Sequence, residues 1–550
     1  MLYRIPQNLI AAKNTLHCTL EVNMEPELFF STLKHRIKKE WILCFCSAIG
    51  FGIAAHIYKF LNYLPNWDAL LNLYSSQNKI DLGRCFLSVA CLLGSYYDLP
   101  WINGMLSLLY LALSAVCISI LFDVKKTLPL ILIGGIVTTF PTVTSTMSYL
   151  YLADGFFLSM LCMCIAAVLI ARAPATGFRR SLCVLFPASL LCAFSLGIYQ
   201  AYLAFYLTLS VIYLLWKLLF SKDSTKELFF LALRFAVAIF AGLLLYLLSF
   251  QLILTFSSQK LSEYLYISNT YSLKMLRPLT SAKYVVLDFF HYFFDFSNGV
   301  NLFLLLNVFL FLLLTILFLE AFHRQKLWNR KNRVRLLLSL LCIVCVPFAA
   351  YALYFTNSSL RAHNLMVMGL CMVYLLPALF YESMPVDARF FSCLKRWAIL
   401  LLSFLTLYNF ILLANISYQK LEIACEKSFG TVIRLADRIE QLPEAAACDK
   451  IAVFGSLADS EPIAVYFPPN MTGITDGYIL RRQDTSMGEN VPQAMLRDYC
   501  GLSYGDTTQA DKDRIAQTAQ YQEMPCWPKA GSVAAFDHIL VIKFSEENDS

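Results

Sequence analysis

The feature that most constrains how this chain can fold is a series of long apolar stretches within its first 415 residues. A stretch of about 17–25 apolar residues crosses the hydrocarbon core of a bilayer as a helix, because a helix satisfies its own backbone hydrogen bonds there. The sequence therefore predicts an all-α polytopic membrane protein with about 11 transmembrane helices. The candidate spans are Trp41–Leu61, Trp101–Phe122, Leu128–Met147, Gly155–Ile170, Ser181–Leu196, Tyr199–Leu219, Leu228–Phe256, Leu302–Phe322, Val334–Phe355, Asn364–Tyr381 and Trp397–Ile416.

Composition excludes the main alternatives to a membrane protein. Hydrophobic residues make up 58% of the chain and charged residues 15%, whereas soluble domains average about 45–50% and about 25%. Disordered proteins, collagen-like proteins and ordinary cytosolic enzymes do not have such a composition. Most of this chain is therefore expected to use lipid as its solvent.

The distribution of basic residues predicts the orientation. If the N-terminus is cytoplasmic, the inside segments hold 23 Lys and Arg residues and the outside loops hold 7, as expected when basic residues favour cytoplasmic loops. Residues 1–40 are thus predicted to be a cytoplasmic segment without a cleaved signal, 41–415 the multispanning domain, and 416–550 an extracytoplasmic domain. Attraction to anionic lipid explains the excess of basic residues. The sequence has no basic stripe with interleaved aromatic residues, so nucleic-acid binding is not predicted.

Residues 416–550 have a different pattern from the spans. They carry a net charge of −8. The strand-like runs Lys450–Gly455 and Ile539–Phe544 alternate with polar helical runs, a pattern that predicts a small α/β domain of about 130 residues.

Four of the 18 cysteines lie in this C-terminal region. In an oxidising compartment they predict at least one disulfide. No CxxC pair accompanies them, so no zinc or other metal site is predicted. These cysteines are Cys425, Cys448, Cys500 and Cys526.

Two stretches on the predicted outer side have helical amphipathic spacing without the length to span. They are Leu82–Leu93 and the aromatic-rich Tyr284–Phe296. Such segments are typical of helices that rest at headgroup depth. A re-entrant plug or an ordinary loop is the competing interpretation.

No Walker loop, GxGxxG after a strand, HExxH or GxSxG is present, so nucleotide and soluble hydrolase chemistry have no sequence support. Polar residues instead concentrate on the predicted outer face, where Asp68, Arg84 and Asp98 follow the first span. A carboxylate at a cavity mouth can take a proton from a hydroxyl, and an arginine can hold an anionic leaving group. An Asp in a wet loop is more often a solvated surface residue.

Further polar residues mark the other outer loops. Asp154 opens an apolar span, where a helix N-cap is the competing interpretation. Tyr199 and Gln200 follow Gly197 at a break between two spans and can hydrogen-bond a polyol, although Tyr199 also fits an aromatic belt. Arg361, beside His363, is an outside cation that works against the orientation rule, which favours a role with a lipid-borne phosphate.

These residues, taken in their order along the chain, resemble the bacterial GtrII-type glucosyltransferases over about residues 40–415. The resemblance rests on the order and spacing of several short motifs. They are Asn66-Trp-Asp68, Gly83-Arg84, Asp98-Leu-Pro100, Gly197-Ile-Tyr-Gln200 and Arg361.

The resemblance implies a GT-C-like fold in the bacterial inner membrane, with a site that opens outside the cytoplasm. It implies a polyprenyl-phosphate-linked sugar donor, commonly glucose, and an acceptor that is a polysaccharide such as O-antigen or a lipid-linked glycan, without a cofactor. By this resemblance Asp68 would be the general base, and Arg84 and Arg361 would bind the donor phosphate. The residues expected to line the sugar or acceptor pocket are Asp98, Asp154, Tyr199, Gln200 and His363.

Three other classes stay open at this point. A flippase or transporter of lipid-linked sugars usually places ionisable groups at mid-membrane and often shows internal repeats. An O-antigen ligase or polymerase, or a protein-mannosyltransferase-like enzyme, is a second alternative, within the enzymes. A structural or receptor role is the third alternative.

Overall fold

The structure is a computed structural model of the chain. It describes residues 27, 36–173, 178–257, 277–296, 299–357, 361–385, 390–455, 457 and 491–545. Most of the predicted cytoplasmic segment 1–40 therefore lies outside the described residues.

The membrane part is built from helices joined by short loops. The helices are α1 (Lys39–Leu61), α2 (Trp67–Leu71), α3 (Leu87–Ala90), α4 (Pro100–Leu121), α5 (Thr127–Thr139), α6 (Pro141–Met147), α7 (Leu150–Arg172), α8 (Phe178–Ile198), α9 (Tyr202–Phe220), α10 (Thr225–Ser257), α11 (Pro278–Phe293), α12 (Leu302–Arg324), α13 (Arg333–Ala350), α14 (Cys371–Ser383) and α15 (Phe390–Glu440).

Within the described residues, eight helices are long and apolar enough to cross a membrane. The third predicted span is instead the pair α5 and α6, which meet at a bend of 41°. The bend lies at Pro141, because proline cannot donate the backbone hydrogen bond that would continue α5. The fifth and tenth predicted spans are shorter apolar helices within α8 and at α14. The predicted polytopic helical domain is confirmed.

Helix α7 lies at the centre of the bundle. Its apolar window is 78% buried, against 28% for α1 and for α13. It packs against α4, α8 and α9. Polar side chains near the start of α7 are therefore held by neighbours on several sides.

The two amphipathic stretches fold differently from each other. Leu82–Leu93 is not one helix, because Gly83 adopts a left-handed conformation (φ 75°) that ends the short turn Ile80–Leu82 before α3 begins. The aromatic stretch is helical, as predicted, but α11 begins earlier, at Pro278. Its alternating buried and exposed residues give it one packed face and one free face.

The C-terminal region is an α/β domain, as predicted. Helix α15 has 51 residues, about 77 Å at 1.5 Å per residue, and runs without a break through residues 415 and 416. The four-stranded sheet has the order β2-β1-β4-β3, with β1 parallel to β2 and β4, and β3 antiparallel to β4. The elements are β1 (Lys450–Phe454), α16 (Val491–Cys500), β2 (Gly505–Asp506), α17 (Gln509–Ala516), α18 (Ala519–Gln522), β3 (Val533–Phe536) and β4 (Ile539–Lys543).

The predicted disulfide in this domain is wrong. Cys425, Cys448 and Cys500 are free thiols, so no two of the four cysteines are joined. Cys425 is buried in α15, where its thiol donates to the carbonyl oxygen of Pro65 at 3.2 Å. Cys448 donates to the carbonyl oxygen of Glu444. Cys425, Cys448 and Cys500 lie on separate elements, which sequence spacing does not reveal.

Candidate active site

Asp68 lies in the first turn of α2, directly after the first span. The side-chain oxygen of Asn66 caps this helix by accepting from the backbone N–H of Ala69 at 2.8 Å. One carboxylate oxygen of Asp68 accepts from the Tyr151 hydroxyl at 2.7 Å, and the other accepts from the side-chain amide of Asn72 at 3.2 Å. The half-buried carboxylate is therefore held by hydrogen bonds on both oxygens, one of them from the central helix α7.

The loop that carries Arg84 is fixed by the turn between α8 and α9. Gln200 donates to the carbonyl oxygen of Gly83 at 2.8 Å, and the Tyr246 hydroxyl donates to the same oxygen at 2.9 Å. The backbone N–H of Phe86 donates to the carbonyl oxygen of Gly197 at 2.8 Å. Two motifs that are more than a hundred residues apart in sequence are thus in direct contact.

Two aromatic rings hold the Arg84 guanidinium. Phe156 and Tyr199 stack with ring centroids 4.0 Å apart and planes 4° from parallel. The guanidinium carbon of Arg84 lies 5.4 Å from the Phe156 centroid and 5.1 Å from the Tyr199 centroid. Such contacts fix the direction of a cation without neutralising it. Tyr199 and Gln200 therefore support Arg84, with Tyr199 only 4% exposed.

Arg84 connects the Asp68 side of the site to the loop before α14. It is close enough to interact electrostatically with Tyr151, the hydrogen-bond partner of Asp68, and with His363. Burial, followed by the positive charge of Arg84, lowers the pKa of His363 to about 4. His363 is thus neutral at pH 7, where it can both donate to and accept from hydroxyl groups.

His363 lines a cleft between its loop and α11. Asp288 on α11 faces this cleft and accepts from the Tyr354 hydroxyl at 2.5 Å, while the backbone N–H of Ala362 donates to the same Tyr354 oxygen at 2.8 Å. The other lining residues are His291, Tyr292, Tyr351, Asn364 and Val367.

Arg361 lies at the rim of this cleft. It is exposed, and its guanidinium carbon lies 3.5 Å from the centroid of the Tyr284 ring on α11. The loop that carries Arg361 and His363 thus places a cation next to a cleft lined by polar side chains.

Asp98 is buried beside a cation. It is 7% exposed, and burial raises its pKa to about 6, while the positive charge of Lys59 acts in the opposite direction. Its described electrostatic partners are Lys59 and Tyr63 at the end of the first span. The structure thus places Asp98 beside the segment that leads into α2.

Asp154 is not an N-cap, because Tyr149 occupies that position of α7 and Asp154 is the fifth residue of the helix. It is fully buried, and its neighbours are Cys91 and the backbone of Gly94 in the loop after α3. No hydrogen-bond partner of its carboxylate oxygens is found among the described residues.

Sequence reasoning missed two residues of the site. Tyr151 lies in the same short stretch as Asp154, but its partner Asp68 is 83 positions away, so nothing local links them. Asp288 lies within the predicted interface helix, where an acidic residue among aromatics was a usable signal. Among the described residues, no group of three or more His, Cys, Asp or Glu side chains is placed to hold a metal ion.

Comparison with protein families matches residues 57–380 to the family described as Glucosyl transferase GtrII. No curated protein matches the chain, and no solved structure does. The matched residues make up more than half of the chain and contain α2, the Arg84 loop, the turn at Gln200, α11 and the loop with Arg361 and His363. The helical membrane part has the polytopic, GT-C-like architecture expected for such an enzyme. The chain belongs to the GtrII glucosyltransferase family.

Proposed function

We propose that this glucosyltransferase moves a glucosyl group from a polyprenyl-phosphate donor to a hydroxyl group of a cell-surface glycan, with Asp68 as general base. The observation that carries the proposal is the arrangement of Asp68, Tyr151 and Arg84. A carboxylate fixed by hydrogen bonds on both oxygens lies in the same polar cluster as an arginine held beside a stacked pair of aromatic rings. A base and a phosphate-binding cation are what this transfer needs.

The proposed reaction is an in-line displacement. The acceptor hydroxyl oxygen forms a bond to the anomeric carbon of the donor while its proton passes to Asp68. The bond between the anomeric carbon and the phosphate oxygen breaks, and its electron pair leaves with the polyprenyl phosphate. Arg84 and Arg361 bind this phosphate, because guanidinium groups match phosphate oxygens in a bidentate manner. The displacement inverts the anomeric centre.

The other residues named above have supporting roles in this proposal. His363 and Asp288 offer hydrogen bonds to sugar hydroxyl groups in the cleft beside Arg361. Tyr199 and Gln200 place Arg84. Asp98 and Asp154 are buried and belong to the walls around the site in this proposal.

A polyprenyl-linked donor and an extracytoplasmic acceptor also require the site to face outward. The proposed orientation puts the N-terminus in the cytoplasm and the site outside, in the bacterial inner membrane, with the C-terminal domain on the same side as Asp68. It is supported by the 23 to 7 distribution of basic residues. Reporter proteins fused after residue 416 test this orientation. A fusion whose reporter is active only in the cytoplasm would contradict it.

The decisive experiment measures release of polyprenyl phosphate. Purified full-length protein is incubated with a polyprenyl-phosphate donor labelled in the glucose, with and without a glycan acceptor. The proposal expects acceptor-dependent release of polyprenyl phosphate and label in the glycan. A flippase would move the donor across a vesicle membrane without breaking it, and a ligase or polymerase would transfer a preassembled glycan from a polyprenyl diphosphate. Either outcome would replace the proposal.

A further inference from the structure

A second polar cavity lies at the end of the bundle away from Asp68. Helix α12 begins beside α11, which carries Asp288, and ends at Arg324, about 33 Å along its axis. There it meets the end of α14 and the start of α15 around a cavity of about 300 Å³. The side chains that matter are Glu320, Arg324, Met384, Ser392, Lys395 and Arg396.

The charges in this cavity do not cancel. Glu320 pairs with Lys395 and lies 3.9 Å from Arg324. Arg396 donates to the carbonyl oxygen of Pro385, which is uncharged. Among the described side chains that line the cavity, one carboxylate faces three cations, so these side chains carry an excess of about two positive charges at pH 7. The cavity therefore favours an anion, and its two guanidinium groups suit phosphate in particular.

An apolar groove continues from the cavity into the bundle. A neighbouring pocket shares Glu320, Arg324 and Met384 with the cavity and extends between α9, α12 and α14. Its inner walls are Phe220, Leu317 and Phe380. A free inorganic anion would use only the charged mouth, whereas a ligand with a hydrocarbon chain would use both parts.

Exposed aromatic residues place the cavity mouth at headgroup depth. Phe390 and Phe391 are each 74% exposed and Trp397 is 63% exposed, all on the first turns of α15 next to Lys395 and Arg396. Aromatic and basic residues at the end of a span are typical of the membrane–water interface. Basic pockets between spans at that depth bind anionic lipid headgroups.

We propose that this cavity binds the phosphate headgroup of an anionic phospholipid, with the first carbon atoms of one acyl chain in the groove of about 50 Å³ lined by Phe220, Leu317 and Phe380. Arg324 and Arg396 bind the phosphate, and Lys395 remains paired with Glu320. The bound lipid links α12, α14 and α15, and it stabilises the folded chain because it binds that state alone. The site is separate from the proposed transfer reaction and does not depend on it.

The test is thermal unfolding of the purified full-length protein in uncharged detergent, titrated with three probes. They are phosphatidylglycerol, phosphatidylcholine with the same acyl chains, and inorganic phosphate. We expect a saturable rise in melting temperature with phosphatidylglycerol and little change with the other two. An equal rise with phosphatidylcholine would overturn the charge assignment. Saturation by inorganic phosphate alone would overturn the lipid assignment.

Two variants locate the effect. Loss of a charged contact to phosphate is worth about 1.5–3 kcal/mol, so Arg324→Gln should weaken the apparent phosphatidylglycerol affinity about 10- to 150-fold. The Arg324 side chain is 43% exposed, and its contact to Glu320 is long, so this variant is expected to fold. Arg330→Gln removes the same charge from an exposed position outside the cavity and should leave the affinity unchanged. Equal weakening by both variants would overturn the proposal.

Discussion

Asp68→Asn is the substitution that isolates proton transfer from every other property of the site. The carboxylate of Asp68 accepts from the Tyr151 hydroxyl at 2.7 Å and from Asn72 at 3.2 Å. In the variant the amide oxygen can accept from Asn72, and the amide nitrogen can donate to the Tyr151 oxygen, because a hydroxyl group can also accept. The fold and donor binding should therefore survive while proton acceptance is lost.

The size of the expected loss in transfer rate can also be estimated. Loss of a general base costs about 100- to 10,000-fold in rate. Tyr151→Phe keeps the base and removes one hydrogen bond to a charged group, worth about 1.5–3 kcal/mol, which bounds its effect at about 10- to 150-fold. Asp68→Asn should thus be the slower of the two. Asp81→Asn makes the same chemical change in the same outer loop and should transfer at the parent rate.

The assay is single-turnover transfer from labelled polyprenyl-phosphate glucose, with donor affinity measured separately. Asp68→Asn should lower the rate and leave donor affinity within about twofold of the parent. Transfer by Asp68→Asn at the parent rate would refute the assignment of Asp68 as base. Loss of donor affinity together with the rate would show that Asp68 acts in binding instead.

Three further outcomes follow from contacts around the site. Arg84→Ala should raise the donor KM at least about tenfold, measured by initial rates, because a charged contact to phosphate is lost; an unchanged KM would remove Arg84 from the phosphate site. Gly197→Ala puts a Cβ 2.3 Å from the Phe86 ring and should destabilise the protein by about 1–3 kcal/mol in thermal unfolding, whereas Gly430→Ala meets nothing within 4 Å and should be neutral or stabilising. The pKa of His363 is lowered from 6.5 to about 4 in the folded chain, so the contribution of neutral His363 to the stability of the fold should be fully present above pH 6.5 and be lost as the pH drops towards 4. The melting temperature of His363→Gln should therefore depend less on pH between 4 and 6.5 than that of the parent. The same pH dependence in both proteins would contradict a neutral His363.

The helical architecture was predictable because lipid imposes a length and an apolar composition on every span. Both strands that the C-terminal sequence predicts, β1 and β4, are present. They were predictable because buried central strands are continuous apolar runs. The two-residue β2 and the antiparallel β3 were missed, since neither has a distinctive pattern of its own.

The site was predictable only in part. Asp68, Arg84 and His363 were predicted from charge and position. In the structure Arg84 lies near both His363 and Tyr151, which is the hydrogen-bond partner of Asp68. The sequence does not show that Gln200 holds the Gly83 turn, because the two residues are 117 positions apart and only the packing of the turn against the helical bundle joins them. Long-range pairing of this kind needs the three-dimensional fold.

The C-terminal domain also contributes to the position of Asp68. A helix of five residues such as α2 is not stable alone, so its direction depends on what packs around it. Tyr151 holds it from the bundle, while α16 packs on its other side and Cys425 on α15 donates to the Pro65 carbonyl just before it. Because α15 is continuous from the membrane into this domain, the domain is not connected by a flexible linker. The domain and the bundle thus enclose the helix of the proposed base between them.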